Sequence, residues 1–287
     1  MKKILLLVSS TVLLANSFLA QEDGDFDKKF RMGLRVAAQP TWFSSNVVTT
    51  TKLNTGFGFG FGLVTEFKLS NIVHFGTGIG GDFESGSIKY KYDPLAASPY
   101  EVSYVLDNNG EMKELRDGVK NTDLVSTGDV MYTGVYERKI KTTHVTIPLT
   151  FKMMTKEITG FRYFGVFGAD LGIRVKARAE DKYTSSYSLT GTTTGGKNTN
   201  VNINKDGSLI PIRVGLNVGA GAEYRISGST SLFLSINYFR SFTNLMRGES
   251  KYMAYDSNTY SQGEMTFFKV KQGLLMNAIR INVGILF

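Results

Sequence analysis

From Phe30 to Trp42 the chain alternates: Phe30, Met32, Leu34, Val36, Ala38, Pro40 and Trp42 occupy one parity, Arg31, Gly33, Arg35, Ala37 and Gln39 the other. Between Phe57 and Leu69 the pattern returns, with Phe57, Phe59, Phe61, Leu63, Phe67 and Leu69 separated by Gly58, Gly60, Gly62, Glu66 and Lys68. A helix would scatter both sets around its surface, whereas a strand sends them to opposite faces. Six further segments repeat the rule: Val73–Asp82, Val145–Met153, Phe161–Lys176, Ile210–Arg225, Leu232–Tyr238 and Ile279–Phe287. The pattern predicts eight strands.

Their connections alternate in length. Ser70-Asn71, Lys156–Gly160 and Ser227–Ser229 are hairpin-sized turns. The stretches near 44–54, 84–140, 180–208 and 244–264 are long, polar and rich in Ser, Thr, Asn and Gly, and read as loops. An even strand number with short turns at one end and long loops at the other describes an outer-membrane barrel. The expected fold is all-β: an eight-stranded antiparallel up-and-down transmembrane β-barrel with short periplasmic turns, periplasmic termini and long extracellular loops. A soluble sandwich or lipocalin-like barrel also alternates, but its second face would carry solvated Lys, Glu, Thr and Ser. Here that face is loaded with glycine and charges of both signs, as a confined lumen requires. The apolar face ends in Trp42, Tyr163, Tyr224, Tyr238 and Phe287, placed as interfacial girdles.

Composition narrows the setting. Residues 1–20 read as a cleaved signal peptide, with Lys2 and Lys3 ahead of an apolar run too short to span as a helix, and residues 21–287 as one barrel domain. The net charge of +8 becomes +6 once Lys2 and Lys3 are removed. No compact basic run accompanies it, so nucleic acid is not an expected partner. The chain has no cysteine, which excludes a disulfide framework, a thiolate metal site and a lipidated cysteine.

The final strand, Ala278-Ile-Arg-Ile-Asn-Val-Gly-Ile-Leu-Phe287, resembles the C-terminal signal that the outer-membrane insertion machinery recognises. Its terminal Phe287 is preceded at two-residue steps by Ile285, Val283, Ile281 and Ile279. The mature chain, over roughly residues 28–287, resembles the PorT-like outer-membrane β-barrel family of eight-stranded proteins. That likeness is carried by Gly33-Leu-Arg-Val-Ala, by Val145-Thr-Ile-Pro-Leu-Thr-Phe-Lys152 and by Phe164-Gly-Val-Phe-Gly-Ala-Asp-Leu-Gly172. The resemblance implies a bacterial outer-membrane location and, for some members, association with type IX protein secretion. No single residue here carries that second role.

The alternation turns Arg31, Arg35, Lys68, Lys152, Arg162, Arg174, Arg213, Arg225 and Arg280 inward, together with Glu66, Asp82, Asp170 and Glu223. An eight-stranded lumen is just wide enough for side chains to fill, and buried charges must be paired. These residues are therefore expected to interlock as a lumen charge network, with Asp170 close in level to Arg174 and Arg280. The alternative is a narrow anion-preferring channel, because these cations outnumber the acids nine to four. His74 and His144 both point inward on opposite-running strands, too far apart to share a metal. His144, toward the outer half, is the one candidate for a surface hydrolase. Gly76-Thr-Gly78-Ile-Gly80-Gly81 lacks the strand-turn-helix context of a nucleotide loop. No cofactor, metal or catalytic set is expected. Ile88, Tyr90 and Tyr92 change apolar parity relative to Phe75 and Ile79, which predicts a bulge near Gly86 and a strand continuing above the membrane.

The expected function is non-enzymatic: a structural or interaction barrel in contact with outer-membrane lipid, with a protein partner at its extracellular loops. Deleting Phe287, or Ile285→Asp, is expected to impair assembly while export continues. Fractionation checks this: unassembled chain should accumulate in the periplasm, and a variant that still assembles at wild-type levels removes the signal reading.

Overall fold

The computed structural model describes residues 28–45, 50–90, 102–114, 125–204, 209–246, 248–257 and 266–287, so the leader lies outside the described residues. Eight strands form the barrel: β1 (Phe30–Ser45), β2 (Thr50–Lys68), β3 (Val73–Tyr90), β6 (Glu137–Met154), β7 (Phe161–Ser188), β9 (Ile212–Ser227), β10 (Thr230–Ser241) and β13 (Leu274–Leu286). Each pairs antiparallel with its neighbour in this order, β1 pairs β13, and the β7–β9 pairing joins the two halves, so the sheet closes. Closure matters because hydrocarbon offers no partner to an open strand edge. All eight strands expected from the alternation are these eight, in the up-and-down order expected.

Strand β6 shows what the sequence encodes. Its even positions Arg138, Ile140, Thr142, His144, Thr146, Thr150, Lys152 and Met154 are buried along the whole length. Outward, the odd positions run Lys139, Lys141 and Thr143, then Val145, Ile147, Leu149, Phe151 and Met153. The parity never changes; the medium does. Below Thr143 the outer face meets lipid and is apolar, while the lumen is polar. Above it the outer face meets water, and on the inner face Ile140 enters an apolar core beside the buried Arg138 and Thr142. Strand β3 behaves alike: His74, Asp82 and Glu84 face inward at the same parity as Ile88 and Tyr90. The parity change expected at Gly86 is therefore not a bulge in β3. The β2–β3 register does slip there, from Thr55 opposite Gly86 to Phe59 opposite Phe83, but the extra residue lies on β2. Tyr92 lies outside the described residues.

The long connections, expected as loops, hold strands of their own. Residues 44–54 are mostly strand, the ends of β1 and β2. Within 84–140 lie the end of β3, β4 (Val102–Leu106), β5 (Val130–Thr133) and the start of β6. The stretch 180–208 holds the end of β7 and β8 (Gly191–Asn202), and 244–264 holds β11 (Glu249–Ser257), followed by β12 (Thr266–Lys271). Strand β7 alone has 28 residues, roughly 90 Å of chain, where about 10 would cross the hydrocarbon. The barrel thus rises into an outer head, whose sheet runs β12-β11-β4-β5-β7 with β8 on the far side of β7. These segments lacked an apolar lipid face, so their strands carried no strong alternation.

The head has its own core. Phe43, Ile88, Tyr90, Tyr104, Ile140, Val201, Leu209, Met246, Met253 and Met276 are nearly or completely buried in one apolar cluster. Within it Arg138 donates from Nε and Nη2 to the two Asp181 carboxylate oxygens, at 2.7 and 2.6 Å. Burial pushes the Tyr90 hydroxyl up to about 12 and Tyr104 higher still, so both phenols stay protonated beside this pair.

The change of medium predicts two different costs on one strand. Leu149→Lys, on the lipid face, should lower unfolding free energy by about 2–4 kcal/mol. Ile140→Ala, in the head core, should cost about 2–5 kcal/mol by leaving a cavity. Urea titration of the detergent-folded protein measures both; a Leu149→Lys protein as stable as wild type would remove position 149 from the lipid face.

Candidate functional site in the lumen

Two charged layers fill the barrel. The lower one lies near the short turns, where β1, β2, β6 and β9 each turn one charged side chain inward. Arg31 pairs with Glu66 at 2.6 Å and with Glu223; Lys152 Nζ reaches Glu66 at 2.8 Å and Glu223 at 3.0 Å. Ser231 donates to Glu223 at 2.6 Å, and His74 Nδ1 stands 3.9 Å from Glu66. Each carboxylate thus bridges two cations and each cation two carboxylates, the arrangement that lets buried charges persist. Lys152 Nζ also lies 4.3 Å from the Phe164 ring centroid. Phe164, Phe233, Met154 and Leu286 form a small apolar cluster at this level.

The upper layer centres on Arg280. It pairs with Asp170 and lies 3.6 Å from Asp82 and 3.7 Å from Glu84. Glu84 also pairs with Arg213 and stands 3.1 Å from His144 Nδ1. Gln39 joins two members, donating to Asp82 at 2.9 Å and accepting from Arg280 Nε at 3.1 Å. Gly60 leaves room for this bond, because a Cβ there would push against the Gln39 amide and the Asp82 carboxylate. Phe239 closes this layer as a wall, its ring 4.4 Å from the Arg280 guanidinium and 4.7 Å from that of Arg213.

A chain of amides extends from the upper layer into the space between the two. Arg35 donates to Asn282 at 3.1 Å, Asn282 to Asn237 at 3.1 Å, Asn237 to Asn217 at 2.9 Å, and Asn217 to Asp170 at 3.0 Å. Below this chain lies a cavity of about 90 Å³, lined by Arg35, Glu66, Thr77, Thr150, Lys152 and Asn237 among others. Val64, Pro148, Phe164, Val166 and Phe233 line it as well, and it has room for several waters.

Several expected members stand elsewhere. Lys68, Arg162 and Arg225 are half-buried at the periplasmic mouth, and Arg225 donates to the Gly228 carbonyl at 2.9 Å and lies 3.6 Å from Glu157. Arg174 does not join Asp170 and Arg280. The β6–β7 register passes from Thr143–Lys176 to His144–Arg174, so Val175 is an extra residue and Arg174 sits on a bulge. It donates instead to the Asn204 side chain at 2.9 Å and to the Leu209 carbonyl at 3.3 Å. Glu84 was missed, although it continues the inward parity of His74 and Asp82; the apolar alternation faded one step before it. With these changes the nine-to-four excess of cations disappears. Arg31, Arg35, Lys152, Arg213 and Arg280 face Glu66, Asp82, Glu84, Asp170 and Glu223, five against five.

His144 is fully buried within the upper layer rather than at the outer rim. His74 belongs to the lower layer. On β13, Ile279, Ile281, Val283 and Phe287 are exposed on the lipid face and Ile285 is partly covered there. Trp42 and Tyr238 meet in a tilted pair at the outer girdle with centroids 6.3 Å apart, while Phe161 and Tyr224 meet at 4.7 Å at the inner one.

A family model described as an outer membrane protein beta-barrel domain matches residues 19–247. No curated protein matches the chain. Solved structures that resemble it include the attachment invasion locus protein Ail of Yersinia pestis, at 9% identity and a TM-score of 0.29, covering 90% of this chain and 99% of that one. Neisserial surface protein A is 11% identical with a TM-score of 0.31, covering 89% and 95%. The outer membrane protease OmpT of Escherichia coli is 10% identical with a TM-score of 0.36, covering 93% and 99%.

Arg280 is the residue whose loss should cost most in the lumen. Arg280→Met leaves Asp170, Asp82 and Glu84 short of a cation, and should lower stability by about 3–5 kcal/mol. Adding Asp170→Asn should recover part of that loss. Unfolding followed by the fluorescence of the single tryptophan, Trp42, measures both proteins; strict additivity of the two changes would show that the pair does not interact.

Proposed function

This chain belongs to the family of outer membrane protein beta-barrel domains, and we propose that it serves there as a closed, non-enzymatic scaffold that presents a folded β-structured head to a protein partner. The observation that carries this reading is the continuity of filling from one end of the barrel to the other. The lower charged layer, the amide chain, the upper charged layer and the apolar head core follow one another along the axis. A conducting lumen keeps a wet path and a fixed excess of one charge. Here the described lumen charges balance, and the cavity of about 90 Å³ lies between two ion-paired layers.

The burial of His144 against Glu84 also favours a structural over a hydrolytic role, because a general base must reach its substrate. The head supplies what a scaffold needs: a sheet pinned by its own core, with β8 paired to β7 and, on its other side, bridged to Glu111 at Asn202 alone among the described residues, its Thr-, Asn- and Lys-rich surface exposed. Such an edge accepts an added strand from a partner. The PorT-like resemblance makes a protein-secretion assembly the first partner to try.

The proposal is tested in two ways. In planar bilayers the wild-type protein is expected to show no steady conductance, and a large anion-selective conductance would overturn the closed reading. Replacing the hairpin 189–199 with a short Gly-Ser turn should leave barrel assembly intact and abolish cross-linking of the head to its neighbours in intact outer membranes. An unchanged cross-linking pattern would remove this hairpin as the contact.

A further inference from the structure

We propose that the outward face of β6 and β7, directly beyond the apolar belt, binds the phosphate groups of an outer-leaflet lipid. On β6 the outward positions pass from Val145 to Thr143, Lys141 and Lys139; on β7 they pass from Ile173 and Val175 to Lys176 and Arg178. In the paired strands Lys141 lies directly opposite Arg178, and Thr143 opposite Lys176. Like charges facing each other across a strand pair are unfavourable unless something neutralises them.

The protein supplies little neutralisation here. Glu180 pairs with Lys141 and, at 3.2 Å, with Lys197; Glu137 pairs with Lys182 at 3.0 Å. Both carboxylates are thereby occupied. Among the described residues, Lys139, Lys176 and Arg178 have no carboxylate within ion-pairing distance. The surplus is densest here. The first outward positions beyond the belt are Ser44 on β1, Thr55 on β2 and Ser85 on β3, all neutral, and on β10 the single cation Arg240.

The height of the patch identifies its occupant. Its cations begin with Lys176, next after Val175 and opposite Thr143, and continue on β6 at Lys141, two outward positions above Val145, where the apolar belt ends and headgroups begin. A phosphorylated lipid satisfies both halves of this surface: its chains lie on the exposed Ile173 and Val175, and its phosphates meet Lys139, Lys176 and Arg178. A soluble polyanion would use the cations alone. Basic clusters beside a membrane surface gain affinity for anionic lipid residue by residue, and the Arg178 guanidinium can hold phosphate through two parallel hydrogen bonds.

The test uses the full-length protein in phosphatidylcholine nanodiscs doped with phosphorylated lipid A or with the same lipid enzymatically dephosphorylated. Native mass spectrometry should show retention of the phosphorylated form only, weakening with salt. The variant Lys139→Gln/Lys176→Gln/Arg178→Gln, its folding verified by heat-modifiable migration, should lose retention by about five-fold for each cation removed. Arg240→Gln, which removes an exposed outward cation on β10, should leave retention unchanged. Should the triple variant fail to fold, the three single variants carry the same comparison. Equal retention of both lipid forms, an equal loss in Arg240→Gln, or equally tight binding of soluble inositol hexakisphosphate in undoped discs would each overturn the proposal.

Discussion

A strand side chain can point in only two directions, and in this protein the medium on both sides changes partway along the strand. Everything else follows from that constraint. Below Thr143 on β6, lipid demands an apolar outer face and leaves polar groups the lumen. Above it, water demands a polar outer face and the interior becomes a hydrophobic core like that of a soluble barrel. Parity is continuous along β3 and β6, so the backbone needs no break there; β7 makes the passage with one extra residue at Val175. One closed sheet therefore contains two oppositely ordered proteins stacked end to end.

The lower of these has to solve an electrostatic problem. Ten charged groups in a lumen of side-chain width carry a heavy desolvation penalty, which only close pairing offsets. Two features show how that is met. In the lower layer every charge touches two of opposite sign, and in the upper layer Arg280 is shared among three carboxylates. Among the described residues no carboxylate pairs directly with Arg35, yet its chain of amides ends on Asp170. The network is thus neutral as a whole and not merely pair by pair.

Legibility from sequence followed the lipid. The eight barrel strands were readable because hydrocarbon enforces strict apolar alternation, and Phe57–Leu69 could hardly be anything else. The head strands were not, because water tolerates Thr, Ser, Lys and Asn on the outer face while the inner face uses small residues such as Ala177 and Ala179. Glu84 and the Arg138–Asp181 pair escaped for the same reason: they lie at or above the level where the alternation in apolar residues inverts. Arg174 was misplaced by a bulge, a one-residue event that no periodicity encodes. Its neighbours Gly172 and Lys176 give no warning of it.

The two halves also divide the work that remains. Inside the belt, each of the ten lumen groups is committed to the network, and changing one disturbs its partners, so this region has little freedom to evolve recognition. Outside the belt the constraints relax. The head core fixes the backbone, and the outer face can then vary at small cost in stability. That is where unpaired cations and an exposed strand edge are found together. A filled lumen and a decorated head are in this sense one design: an interior occupied by paired side chains stiffens the barrel, and a rigid barrel holds the outer surface at a fixed height above the bilayer. Contacts that depend on height, with headgroups or with a neighbouring protein, require that fixed reference.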